Sequence, residues 1–165
     1  MKKRIILIGG AGFIGHNLAI QLKKNYDVYV VDSLQVNNIG EHSLKNSKNQ
    51  SLYINLLNQR LDLLKLNNIP IQIVDARDYT LLTGFFNSIK PHIVIHLAAV
   101  AHAQKANKDP YSTIDHSMRT LENVLDIIRG LNIHLIYFSS SMVYGNFKKK
   151  EVTELDHCDP LGIYG

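Results

Sequence analysis

Three glycines spaced three residues apart, Gly9, Gly12 and Gly15 in "GGAGFIG", are the first residues whose pattern points to chemistry. Glycines between a strand and a helix allow a tight turn and let the backbone come close to a pyrophosphate. The free N–H groups of the first helical turn then face its negative charge. Alone, such a triplet can also serve close packing. Here an acid, Asp32, closes the next apolar run "DVYVVD". A carboxylate at that place accepts hydrogen bonds from both ribose hydroxyls and repels a 2′-phosphate, which selects NAD over NADP. The competing reading of Asp32 is a turn or helix cap, but the matching context favours the dinucleotide. A second acid, Asp75 in "VDARD", reads equally as a turn former and as an acceptor for an adenine amino group, with Ala76 packing on the ring. In "HLAAVAH", Ala98 and Ala99 are small enough to let a cofactor lie on the backbone. His96 reads as a satisfied core histidine, and His102 stays undecided.

These residues need a scaffold, and the chain alternates short apolar runs with longer amphipathic ones. Strands are expected over residues 4–10, 27–32, 69–75, 92–99 and 133–141. Helices are expected from about Phe13 to Lys24, Leu52 to Leu66, Tyr79 to Ile89 and Tyr111 to Arg129, the last ended by Gly130. Residues 33–50, rich in Asn, Ser and Lys, read as a loop. Continuous apolar strands separated by helices imply a parallel sheet covered on both faces. Right-handed crossovers make it an α/β, Rossmann-type, doubly wound sheet. About five strands are expected.

Composition narrows the classes. The chain has 165 residues, 45% hydrophobic and 19% charged, within the range of one globular domain. Its apolar runs are too short for a membrane span, and the glycines that interrupt the first run argue against a signal peptide. Cys158 is the only cysteine, which excludes an intrachain disulfide and fits a reducing, cytoplasmic setting. The net charge of +4 is densest at Lys148, Lys149 and Lys150, read as a solvated turn. No basic surface interleaved with aromatics suggests nucleic acid, so neither nucleic acid nor membrane is an expected partner. No metal is expected.

Together, "GGAGFIG", "HLAA", "SSSMVYG" and "PLGIYG" resemble the extended short-chain dehydrogenase/reductase family, and more closely its NAD-dependent nucleotide-sugar epimerase/dehydratase branch. The resemblance runs from Lys3 to Gly165. It implies NAD bound on a Rossmann domain, with a nucleotide sugar held by a smaller C-terminal domain absent from this chain. It also implies transient oxidation of the sugar, usually at C4, and commonly a homodimer. Carried over by position, Gly9, Gly12 and Gly15 would flank the pyrophosphate, with backbone contacts from Phe13 and Ile14. Asp32 would hold the ribose, and Asp75 and Ala76 the adenine. Alignment on "VYG" places the catalytic serine on Ser140, and "PLGIYG" places the catalytic tyrosine on Tyr164.

The implied mechanism explains these residue types. A sugar hydroxyl loses its proton as hydride leaves the same carbon. A tyrosine phenol, ordinarily ionising near about pH 10, is a weak base until a cation favours the phenolate. In the YxxxK pattern that cation is a lysine, which would fall at position 168, so the 165-residue chain alone is expected to be inactive. Ser140 would hold the substrate oxygen; otherwise it is a turn residue at a strand end. Two positions depart from the pattern: His116 stands where relatives have asparagine and Arg119 where they have glycine in N-x-x-G-T. The stretch from Leu34 to Asn68 is also longer than in many relatives. Ser141 and Met142 replace the acids that dehydratases and decarboxylases carry after the serine or threonine, which favours epimerisation. A sugar-nucleotide reductase or dehydrogenase on the same fold is the alternative. A non-catalytic NAD sensor is a third reading, opposed by the presence of both Ser140 and Tyr164.

Overall fold

The computed structural model describes residues 1–36, 38–40 and 48–165. The predicted loop over 33–50 therefore falls partly outside the described residues. Five strands form one parallel sheet: β1 (Arg4–Ile8), β2 (Asp27–Asp32), β3 (Ile71–Ile73), β4 (Ile93–His96) and β5 (His134–Tyr137). Their order is β3-β2-β1-β4-β5. The chain thus winds outward from β1 in one direction, returns, and winds outward in the other. The reversal lies between β1 and β4, and a crevice opens there at the carboxyl ends of the strands.

The helices are α1 (Phe13–Leu22), α2 (Gln50–Leu66), α3 (Tyr79–Ile89), α4 (Ala103–Lys108) and α5 (Pro110–Ile128). Alternate residues of the unbroken apolar run "IILI" point to opposite faces, and both faces are buried. Ile5 and Leu7 pack with Ala19 of α1 and Leu64 of α2. Ile6 and Ile8 pack with Leu82 and Phe86 of α3 and Val124 of α5. Each such side chain contributes about 1.5–3 kcal/mol when removed from water. This double covering is why the central strand β1 carries no polar alternation.

Local chemistry sets the helix ends. The Asp78 side chain accepts the Leu81 N–H at 2.9 Å to cap α3, and Asp109 accepts the Ser112 N–H at 3.0 Å to cap α5. Pro110 sits in the first turn of α5, where its missing N–H is no loss. Gly130, with φ of 74°, follows the end of α5, as expected. Sequence periodicity placed the four long helices to within two residues. It missed α4, a six-residue helix with only two alanines and no larger apolar side chain, whose start is capped by the His102 side chain accepting the Lys105 N–H. The strands expected over 4–10, 69–75, 92–99 and 133–141 are shorter in the structure. The ends of the first three leave the ladder to line the crevice with Gly9, Val74, Asp75, Leu97, Ala98 and Ala99, whereas the end of the fourth leads into a 3-10 turn.

Among the described residues, β5 pairs only with β4, and Ile136, Tyr137 and Phe138 stay exposed. Beyond it, Ser141–Tyr144 forms a short 3-10 turn.

Candidate active site

The site begins where β1 ends. Gly9 has φ of 76°, and its N–H donates to the Val31 carbonyl at 2.8 Å. A methyl group there would lie 2.7 Å from the Ala98 nitrogen, so only glycine allows the turn to lie on the end of β4. Gly15 is required by packing: a methyl would lie 2.6 Å from the Gly10 Cα, where α1 crosses the turn. Gly12 differs. Its φ is −71°, which any residue adopts, and an added methyl would meet only the Gly9 carbonyl oxygen, at 3.4 Å. The fold does not demand glycine at 12. Its open side faces a cleft of about 410 Å³, so the bare backbone there fits a group brought close from outside the protein.

Gly9, Gly12, Phe13, Ile14 and Gly15 line one side of that cleft. Asp32, Asp75, Ala76, Ala98 and Ala99 line the rest, together with His116 and Thr120 of α5. All ten residues expected to bind a cofactor are therefore brought together. Asp32 is nearly buried, and its carboxylate accepts the Ala11 N–H at 3.0 Å and the Leu34 N–H at 2.8 Å. It thus holds the glycine turn as well as facing the cleft, so the cap reading of this residue also describes it. Burial pushes its carboxyl above the usual carboxylate range, against the pull of the two backbone donors.

Asp75 is more committed than the sequence implies. The Arg77 side chain donates to both of its oxygens, at 2.6 Å through Nη2 and 3.0 Å through Nε. Arg77 also pairs with Asp115 of α5. The Arg77 guanidinium holds the Asp75 carboxyl below its ordinary range. Asn123 donates to the carbonyls of Ala76 and Arg77, both at 2.9 Å, and ties the same loop to α5. Nothing in the spacing of Arg77, Asp115 and Asn123 marked them, because the fold alone makes them neighbours.

His116, in the asparagine position of the expected motif, lines the cleft. Its Nδ1 lies 2.8 Å from the Ser112 carbonyl, which accepts a proton but cannot give one. Nδ1 therefore carries a hydrogen and donates it to that carbonyl. Arg119 is an exposed residue paired with Glu122 at 3.0 Å. His96 is a core residue, 1% exposed, but it is not satisfied: its Nε2 has no hydrogen-bond partner among the described residues. Burial lowers its pKa to about 4.

Ser140 and Tyr164 do not line this cleft. The Ser140 hydroxyl accepts the Met142 N–H at 3.2 Å and caps the 3-10 turn. The final segment folds back over that turn: the Asp159 N–H donates to the Val143 carbonyl at 3.0 Å. A methyl on Gly165 would lie 2.7 Å from the Met142 carbonyl oxygen. The "SSSMVYG" and "PLGIYG" stretches are therefore in contact, and Tyr164 is half-buried beside them.

Comparison with known proteins identifies this architecture. The family model of the NAD dependent epimerase/dehydratase family matches residues 5–165. The chain belongs to that family. It is 32% identical to Protein CapI of Staphylococcus aureus over 98% of its length, covering 45% of that protein. It is 30% identical to UDP-glucuronate 4-epimerase 1 of Arabidopsis thaliana over 97% of its length, covering 35% of that protein. The fold matches the UDP-glucose 4-epimerase from Bifidobacterium longum, solved with NAD+ and UDP, at a TM-score of 0.79. There the identity is 23%, and the match covers 98% of this chain and 44% of the other. This family member thus spans less than half the length of these relatives.

Proposed function

We propose that this chain is the NAD-binding portion of a nucleotide-sugar epimerase, which oxidises a sugar carbon transiently and returns the hydride in the same site. The observation that carries the reading is the cleft at the topological switch point. Its floor is bare backbone at Gly12, and Asp32 stands at the end of β2. The family's NAD dependence and the epimerases among its relatives support it.

In this reading the first-turn N–H groups of α1 face the pyrophosphate. Asp32 accepts from the adenosine ribose hydroxyls, and its charge disfavours a 2′-phosphate. Asp75, steadied by Arg77, accepts from the adenine amino group, and Ala76 packs on the ring. NAD, when bound, supplies the hydride acceptor. Ser140 holds the sugar hydroxyl, and Tyr164 takes its proton as the carbon is oxidised, then returns it after the hydride comes back. Neither Ser141 nor Met142 can exchange a proton with the sugar, which favours epimerisation over elimination.

The test is to purify the complete protein, release its cofactor by denaturation, and incubate it with a panel of UDP-sugars. Tightly held NAD with interconversion of two C4 epimers is expected, and Tyr164→Phe abolishes the interconversion. Net consumption of added NADH or NADPH, without epimer formation, would contradict the proposal.

A further inference from the structure

We infer that Arg60 is a phosphate-binding residue of the cofactor cleft, supplied by α2 to the N-terminus of α1. This rests on the proposed binding of NAD. Arg60 lines the cleft, and its guanidinium carbon lies 5.6 Å from the centroid of the Phe13 ring. Phe13 is the first residue of α1 and is 70% exposed, so it offers a platform that holds the cation over the helix start. Leu61 and Leu64 of the same helix pack into the apolar cluster that contains Ala19 of α1, which fixes α2 against α1.

The electrostatics of this arrangement favour an anion. A helix N-terminus carries partial positive charge, and a cation placed beside it is unfavourable on its own. Arg60 makes no ion pair or side-chain hydrogen bond among the described residues. Of the two acids lining the cleft, Asp75 is occupied by Arg77, and Asp32 is held by the Ala11 and Leu34 N–H groups. Arg60 is the one arginine or lysine among the described residues that line the cleft. A phosphate between the helix start and the guanidinium turns this repulsion into two attractions, with bidentate geometry available to arginine. The pyrophosphate is the nearer source, because it is the group expected at Gly12. A 2′-phosphate offers the same chemistry, and binding measurements separate the two.

Calorimetry on the complete protein, wild type, Arg60→Gln and Arg60→Lys, would use NAD, NADP, ADP and adenosine. Arg60→Gln is expected to weaken NAD, NADP and ADP alike by about tenfold or more, leaving adenosine unchanged. Arg60→Lys recovers part of the loss, and its unaltered melting temperature separates charge from folding. Loss confined to NADP would keep Arg60 as a phosphate ligand and move its target to the 2′-phosphate. Equal loss for adenosine, or no loss for any ligand beside normal wild-type NAD binding, would overturn the inference alone. Failure of the wild type to bind NAD would overturn the proposed function and this inference with it.

Discussion

Replacing Gly12 with alanine separates what the fold needs from what the ligand needs. In the protein, the new methyl would meet a single atom, the Gly9 carbonyl oxygen at 3.4 Å, an ordinary contact. The backbone at φ of −71° suits alanine. Alanine is a poorer N-cap than glycine by up to about 1 kcal/mol, and it gains about 0.4–1 kcal/mol by restricting the unfolded chain. These effects offset, so the melting temperature should move by only a few degrees, roughly. Binding is another matter. Charge-assisted N–H contacts to a phosphate form at about 2.7–2.9 Å. A methyl on the cleft floor forces the phosphate back by about an ångström or more and loses contacts worth about 1.5–3 kcal/mol each. NAD affinity should fall at least about a hundredfold. Gly15→Ala is the contrast: its methyl meets Gly10 backbone at 2.6–2.7 Å, and stability should drop by about 3 kcal/mol. Calorimetric NAD titration beside thermal melting of both variants checks the argument. A Gly12→Ala protein that binds NAD like wild type, or unfolds as readily as Gly15→Ala, would refute it.

Asp32→Asn should weaken NAD and narrow its advantage over NADP by about tenfold or more, since the charge facing a 2′-phosphate is gone; paired titrations read the ratio. His96 should make the fold acid-sensitive. Its folded pKa of about 4 lies below the ordinary 6.5, so the unfolded chain binds the proton more readily. The stability this gives is complete above the unfolded value and is lost as pH falls through the folded one, roughly 3 kcal/mol in all. Chemical denaturation between pH 7 and 4 should show that loss, and His96→Leu should flatten it. Ser140→Ala and Tyr164→Phe should each lower turnover of the complete protein about 10²- to 10⁴-fold, with NAD affinity unchanged; steady-state rates beside calorimetry distinguish the two effects.

How far the sequence could be read depended on the range of the interaction behind each feature. The strand runs, the capped long helices and the glycine turn arise from local patterns, and the cleft lining at Gly9 through Gly15, Asp32 and Asp75 followed from their places at strand ends. Helix α4 escaped because its six residues, AQKANK, are too few and too weakly apolar to carry a period. Arg60 escaped because its helix advertises only a leucine face, while its arginine reaches the cleft through packing on α1. The Asp75–Arg77–Asp115 array joins residues 38 apart in sequence, a contact that no spacing rule reveals. The partnerless Nε2 of His96 likewise depends on what surrounds β4 in three dimensions.

A crystal structure of the protein grown with NAD tests the central claim most directly. The account predicts the pyrophosphate against the Gly12 backbone, the adenosine ribose on Asp32 and the adenine between Asp75 and Ala76. NAD seated away from the switch-point crevice, or a crevice that takes no dinucleotide at saturating concentration, would contradict it.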